Sequence, residues 1–395
     1  GLAMHWGALD ASNELKTFLL LNHASSTEEC HRALETYESP SQNFLCADNH
    51  GDVELTHTGR FPIRWKGQGR LIGDGTSSDY EWKGWIPRPE LPSYKNPERG
   101  FLSSANQSPT DETYPYYLGW PFENPFRGMR INEILREKKK FSPEDFVKMQ
   151  SDTLSVSSRM GLKPLLRALS ASTLTPEETA AIDLLRSWDF RFEENSSAAP
   201  LYYAWYAAVE NHIWGSRFPD PSKTLRPPIW RTLQILNDDP KSKWFDDPMT
   251  DKHETLSDIA LTSFKEAITD VSKKTGTSHP SEWRWADYRP TQFAHLGRIP
   301  GLGDQGFPAP GMEHTIFANN GNHGPAWKMV VALGPKPRAW GVYPGGQSGD
   351  PASPNYDQFL QSWRTGQMHE INYLMKTADP NPRLQREWTL TPATK

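Results

Sequence analysis

With 395 residues the chain is long enough to bury a sizeable core in two or three units or one elaborate enzyme-like unit. A net charge of −5 and a pI of about 6.2 argue against a nucleic-acid binder, which would carry a basic stripe. Aromatics at 12%, including sixteen Trp, exclude a disordered composition, and 34 Pro point to long, shaped loops. The longest apolar run, residues 18–21, is far too short to span a membrane, and the opening stretch does not read as a signal peptide.

The stretch "STEECHRALETYES" predicts a helix: a Ser/Thr start, Glu residues following, apolar spacing on one face, and Pro40 as the stop. "QNFLCAD" and "VELTHTG", around an Asn/Gly/Asp turn, predict a hairpin with Asp48 and Asp52 as turn acceptors. Cys30 falls in the helix and Cys46 in the first strand. Two thiols make no disulfide framework; their pairing stays open, and the favoured reading is two buried thiols. No spacing suits a zinc site. Residues 67–97, dense in Gly, Pro and Trp, read as a long ordered loop with short strands. "GFLSSAN" reads as a strand that ends at the turn Gln107-Ser108-Pro109.

The middle of the chain is helical. Ser142-Pro143-Glu144-Asp145 starts a helix expected to run past Met149 toward Arg159. The run 136–140, with four basic residues around Glu137, complements a helix end rather than gripping phosphate. Thr175 and Glu178, in capping-box spacing, start another helix reaching to about Trp188. "YYAWYAAVENHIW" and "LSDIALTSFKEAITDVSKK" carry helical periodicity. From about Ser281, loops and short strands return in "WKMVVAL" and "AWGVYPGG", followed by a short helix "YDQFLQSWRTG" stopped by Gly366. Strands, helices and strands again predict an α+β fold. The expected organisation is a sandwich part over 1–135, a mainly helical region over 136–280, and returning strands and loops over 281–395.

Six stretches then agree in order and spacing: "NFLCADNHGDVELTHTGRFPIR", "WKGWIPRPELP", "NPERGFLSSANQSP", "YPYYLGWPFENPFRGMRINEIL", "GPAWKMVV" and "GGQSGDPASPNYDQFLQSW". Together they resemble the penicillin acylase family of N-terminal nucleophile hydrolases, over nearly the whole chain. The resemblance implies part of an αββα sandwich with an inserted helical region. It implies an amidohydrolase made as a self-cleaving precursor, whose new N-terminal serine attacks an amide carbonyl while its own α-amine, through water, acts as base. An amine of pKa near 8 suits that task. The opening of this chain resembles a region well inside the family's β subunit. The nucleophile serine, its neighbours and the α subunit are therefore expected on another polypeptide segment, with N-acylated small molecules as substrates, namely β-lactam side-chain amides or acyl-homoserine lactones. Family members are usually exported, so a periplasmic or secreted location is expected.

The same resemblance assigns residues. Read locally, Asn106 is an ordinary turn residue; within "NPERGFLSSANQSP" it matches the family's oxyanion asparagine. Arg127 matches the arginine that orders the site around the nucleophile's amine, with Arg130 as a nearby rival and a surface ion pair as the plain alternative. Phe18 and Gln42 fall, by looser spacing, where the family lines its acyl pocket; Phe18 reads equally as core. Arg70 lies near a position whose backbone carbonyl ligates calcium in the family. Tyr116, Tyr117 and Leu118 stand where an acidic ligand is expected, so a structural calcium is allowed rather than supported, and no cofactor is required. The scattered histidines, His295 and His314 included, are read as structural. The alternative reading is a catalytically silent, aromatic-rich binding module on the same scaffold.

Overall fold

The structure, a computed structural model, describes residues 1–220, 222–376, 379–384 and 386–392. Helix α1 (Glu14–His23) is capped by Asn13, whose Oδ1 accepts from Lys16 N, and α2 (Thr27–Leu34) by Ser26, whose Oγ accepts from Glu29 N. The expected hairpin follows as β1 (Gln42–Ala47) and β2 (Val53–Thr58), in antiparallel register with Asn43 opposite His57. Asp48 closes its turn, accepting from the N–H groups of His50 and Asp52 and reaching back to Thr27 N. The short β3 (Ser93–Lys95) adds to β2. One expectation is corrected here. Cys30 and Cys46 are not two buried thiols but a disulfide that joins α2 to β1, their Cα atoms 6.7 Å apart. Local pattern placed each cysteine on its element; only the packing of helix on strand brings them together.

The strand expected at "GFLSSAN" does not form. Residues 101–104 are loop with no ladder partner among the described residues. Helix α3 (Phe126–Glu137) comes next, then α4 (Pro143–Gln150) behind its predicted Ser142 cap. That helix does not continue toward Arg159. Asp152 binds the Arg130 guanidinium through two parallel bonds of 3.0 Å, Ser155 N is drawn to Phe190 O, and Ser155 then caps a new helix, α5 (Val156–Ala168). These longer-range pairings out-compete simple continuation.

Helices α6 (Pro176–Arg186), with its Thr175/Glu178 capping box, α7 (Ala198–Trp214), α8 (Ile229–Asp238) and α9 (Leu256–Thr275) complete the helical region. Trp205 of α7 is fully buried, its indole N–H donating to Ala260 O and Ser263 Oγ of α9. Gly161 lets α5 and α7 touch, since a Cβ there would collide with Tyr202 Oη. Beyond α10 (Trp285–Tyr288), strands β4 (Thr291–Ala294) and β5 (Gly303–Phe307) pair with each other. Strands β6 (Lys328–Ala332) and β7 (Arg338–Val342), helix α11 (Leu360–Thr365), closed by Gly366 at φ 74°, and β8 (His369–Ile371) follow. The last three strands form one antiparallel sheet.

The chain divides into two compact units, Gly1–Lys140 with Met149–Pro325, and Phe141–Lys148 with Ala326–Lys395. In the second unit Lys328 is buried and donates to Trp363 O at 2.9 Å; burial pushes its pKa down to about 7. Among the described residues no helix is long and apolar enough to cross a membrane.

Candidate active site

Asn106 follows the loop stretch 101–105 and stands in a left-handed turn at φ 66°, a conformation Asn tolerates better than other side chains with a Cβ. Its backbone carbonyl accepts from Glu123 N at 2.9 Å. Its side-chain Oδ1 accepts from Arg127 Nη2 at 2.8 Å, and the same nitrogen donates to Ala105 O at 3.0 Å. A guanidinium only donates, so the amide atom facing it is the oxygen. The Nδ2 amine therefore points the other way, exposed and without a partner among the described residues. The turn is tightened by Gln107, whose Oε1 accepts from Ala105 N at 2.8 Å. Gln107 lies against Gly128, where a Cβ would stand 3.2 Å from Oε1.

Arg127 is the second residue of α3. A cation in the first turn opposes the helix dipole, and that turn holds no acid to offset it. Carbonyl and amide oxygens fill the role instead; among the described residues Arg127 has no carboxylate partner, which removes the plain reading of a surface ion pair. Arg130, the rival, is tied into a network with Asp152, Glu133 and Glu137, and Asp152 also takes Arg191. His314, half-buried, stacks edge-on against Phe126 at 5.7 Å, and burial pushes its pKa down.

Phe18 lies on α1, 47% exposed, with its ring edge-on to Tyr37, which in turn meets Phe44 of β1. Gln42 opens β1 opposite Thr58 and is exposed. Side chains alternate along a strand, so Gln42 and Phe44 share one face of β1 while Asn43 projects from the other. Among the described residues neither Phe18 nor Gln42 makes a hydrogen bond or ring contact with Asn106 or Arg127. Asn43 does reach the site segment: its Nδ2 donates to Ser104 Oγ at 2.8 Å. The residues that grip this segment went unnoticed in the sequence; the alternation of β1 was the signal that set Asn43 apart from Gln42.

Around the expected calcium position the side chains are otherwise engaged. The Arg70 side chain lies over the Trp120 ring, 4.4 Å from its centroid, and the hydroxyls of Tyr114 and Tyr116 are engaged by Glu90. A separate acidic group, Glu28, Asp48 and Asp52, is compensated by Lys95, whose ammonium pairs with Glu28 and Asp52. One hollow is lined in part by the site segment, and a second lies past it, from Ser108 onward. The first, of about 310 Å³, is lined by Asn43, His57, Tyr94, Arg99 and Ser104; the second, about 610 Å³, by Arg64, Trp65, Tyr117 and Phe122. Ser108 lines both. An exposed amide donor held by its oxygen suits an oxygen that gains negative charge.

A sequence model of the family described as penicillin amidase matches residues 1–378. The chain belongs to the penicillin amidase family. Among curated relatives, the acyl-homoserine lactone acylase QuiP of Pseudomonas aeruginosa is 26% identical, over 100% of this chain and 51% of that protein. The penicillin acylase 2 proenzyme of Pseudomonas sp. (strain SE83) is 24% identical, over 86% of this chain and 45% of that protein. The chain thus spans about half the length of the curated relatives it matches. A solved thermostable penicillin G acylase from Alcaligenes faecalis superposes on 97% of the chain and 73% of its own, with a TM-score of 0.68 at 19% identity. That likeness establishes the fold as the α+β, N-terminal nucleophile hydrolase architecture of this family.

Proposed function

We propose that this chain supplies the oxyanion-stabilising part of an acylase that hydrolyses the amide of N-acylated small molecules. The Arg127–Asn106 clamp carries the reading: it leaves one amide with its oxygen bound and its N–H groups presented outward from a constrained turn. In the reaction a serine hydroxyl attacks the amide carbonyl carbon. The serine belongs to a segment outside this sequence, begins its own chain after precursor self-cleavage, and sends its proton through water to its α-amine. The carbonyl oxygen becomes anionic and accepts from Asn106 Nδ2–H. The C–N bond then breaks, the leaving amine takes the proton, and water releases the acyl group as a carboxylic acid. Preorganised donors of this kind lower the barrier because they need no reorientation as charge develops. Arg127 fixes the amide, and its charge disfavours protonation of a neighbouring amine. The chemistry as written calls for no cofactor.

The named relatives, acyl-homoserine lactone acylases and penicillin acylases, supply the two substrate classes to test. Assembly requires an α subunit and the N-terminal β segment with the serine. The Cys30–Cys46 disulfide favours an oxidising compartment, in keeping with the periplasm or the exterior. The test is amine release from an N-acyl-homoserine lactone and from penicillin G by the assembled protein, alongside N-terminal sequencing of every co-purifying chain. Turnover abolished in Asn106→Ala, with a co-purifying chain that begins with serine, is the expected result. Absence of turnover on any acyl amide, or full activity in Asn106→Ala, sinks it.

A further inference from the structure

The stretch that carries Asn106 has an unusual support. From Phe101 to Ala105, among the described residues, no backbone N–H reaches a backbone carbonyl. A loop without a ladder is ordinarily mobile, yet a donor that stabilises a developing charge has to stay within a fraction of an ångström of its place. Here the restraint comes from side chains. Asn132 of α3 donates from Nδ2 to Ser103 Oγ at 3.1 Å. Asn43 of β1 donates from Nδ2 to the next hydroxyl, Ser104 Oγ, at 2.8 Å.

Each asparagine is itself fixed. Asn132 Nδ2 also donates to Gly128 O at 2.7 Å, and its Oδ1 accepts from Arg99 Nη1 at 3.2 Å. Asn43 Oδ1 lies 2.6 Å from His57 Nδ1. Since Asn43 uses its nitrogen on Ser104, its oxygen is the acceptor, and His57 carries its proton on Nδ1. His57 is 8% exposed, its backbone N–H is bound to Pro92 O, and its ring lies against Phe61 at 4.9 Å. It is an immobile anchor.

We propose that Asn43 and Asn132 are positioning residues for Asn106: two amides, one from β1 and one from α3, grip consecutive serines and set the register of the turn that presents the oxyanion donor. This rests on the reading of Asn106 given above. Each asparagine bonds a serine hydroxyl and acts through the 103–106 backbone. A misplacement of about 1 Å at a reacting centre costs on the order of 100-fold in rate. Loss of either grip is therefore expected to appear in kcat rather than in KM.

The test is steady-state kinetics of the assembled acylase with an N-acyl-homoserine lactone and with penicillin G, plus ¹⁵N NMR of the Asn106 side-chain amide, assigned by its disappearance in Asn106→Ala. Asn43→Ala and Asn132→Ala are expected to lower kcat by about 10- to 100-fold with KM within about twofold, and to shift and broaden that amide pair. Asn43→Asp, which still accepts from His57 and can accept from the Ser104 hydroxyl, is expected to restore most of kcat. Ser104→Ala removes a single oxygen and is expected to match Asn43→Ala, with the double variant no worse than either, because both delete one interaction. Should Asn43→Ala fail to fold, Ser103→Ala and Ser104→Ala carry the test. Wild-type kcat and an unmoved Asn106 amide in these variants, beside an inactive Asn106→Ala, overturn this inference and leave the oxyanion reading standing. Equal activity of wild type and Asn106→Ala overturns the oxyanion reading itself, while the NMR signal still reports whether the grip exists.

Discussion

Between α7 and α9 the chain is fastened by aromatic mass: Trp205 and Phe264 are fully buried, their rings 5.0 Å apart. Between Phe101 and Asn106 a half-exposed loop is fastened by hydrogen bonds: Asn43, Asn132 and Arg127 donate to it, and Gln107 Oε1 accepts from it. Apolar burial is non-directional and sums over area, so it makes a region stable without placing any one atom. Hydrogen bonds contribute little net stability each but fix direction. The helical region is therefore where this protein keeps its stability, and the site segment is where it keeps its geometry.

The largest expected effect falls on the helical side. Trp205→Ala deletes a fully buried indole that also bonds to Ala260 O and Ser263 Oγ. It is expected to cost about 3–5 kcal/mol of unfolding free energy in a denaturant titration. Turnover per folded molecule should stay near wild type. A large loss of specific activity without loss of stability would break the division drawn above.

The mirror image is Asn106→Ala. It removes an exposed side chain but leaves alanine at φ 66° and Arg127 without its amide acceptor, so stability should fall by about 1–2 kcal/mol, well short of the loss in Trp205→Ala. Removing one oxyanion donor typically costs about 10²–10³ in kcat, roughly 3–4 kcal/mol of barrier. If Asn106→Ala instead lowered the unfolding midpoint as Trp205→Ala does, the segment would be a structural strut.

The same contrast explains what could be read from the sequence. Thr175 with Glu178, and the apolar periodicity of α7 and α9, are local signals whose physics is complete within a few turns. The β1–β2 hairpin is likewise local, set by an Asp-centred turn. The pairing of Asn43 with Ser104 spans 61 residues and that of Asn132 with Ser103 spans 29, and no period or cap encodes them. Asn106 and Arg127 could be singled out only through the family resemblance, because a turn asparagine and an arginine early in a helix are unremarkable alone. The expected strand at "GFLSSAN" failed for a related reason: its apolar and small residues suit a strand, but propensity cannot supply the neighbouring strand that a ladder needs. The break at Asp152 had the same origin, an ion pair to Arg130 and Arg191 overriding helix continuation.

The disulfide offers a third restraint, on the site side yet acting through the unfolded state. Cys30 and Cys46 close a loop of 16 residues, for which chain entropy suggests about 3 kcal/mol. The double variant Cys30→Ala/Cys46→Ala is expected to lose about that much in denaturant titration, with the intact protein falling to the same value under reductant. Insensitivity to reductant would mean that packing of α2 on β1 already holds the pair together.

The smallest net effect is also the most discriminating, because the two regions carry titrating groups of opposite sign. Glu210 of α7, bonded by Thr232 Oγ1 at 3.0 Å and facing Tyr206, Arg226 and Glu313, is raised by burial from 4.5 to about 7. Between those values the unfolded chain has released the proton while the folded chain keeps it, so this group's contribution to stability falls as pH rises through the window and is level above it. His57, beside Asn43, is lowered by burial from 6.5 to about 4. There the unfolded chain binds the proton first, so its contribution is full above pH 6.5 and is lost as pH falls toward 4. From pH 8 to pH 5 the two changes oppose each other, each on the order of 2 kcal/mol, and the wild-type curve is expected to look nearly flat for this pair. Single variants separate them. Relative to wild type, Glu210→Gln should gain stability at pH 8 compared with pH 5, and His57→Gln should gain it at pH 5 compared with pH 8, both read from urea midpoints. Parallel curves for either variant and the wild type would show that the corresponding group is solvated in the folded protein, and for His57 that would also loosen the anchor on which Asn43 depends.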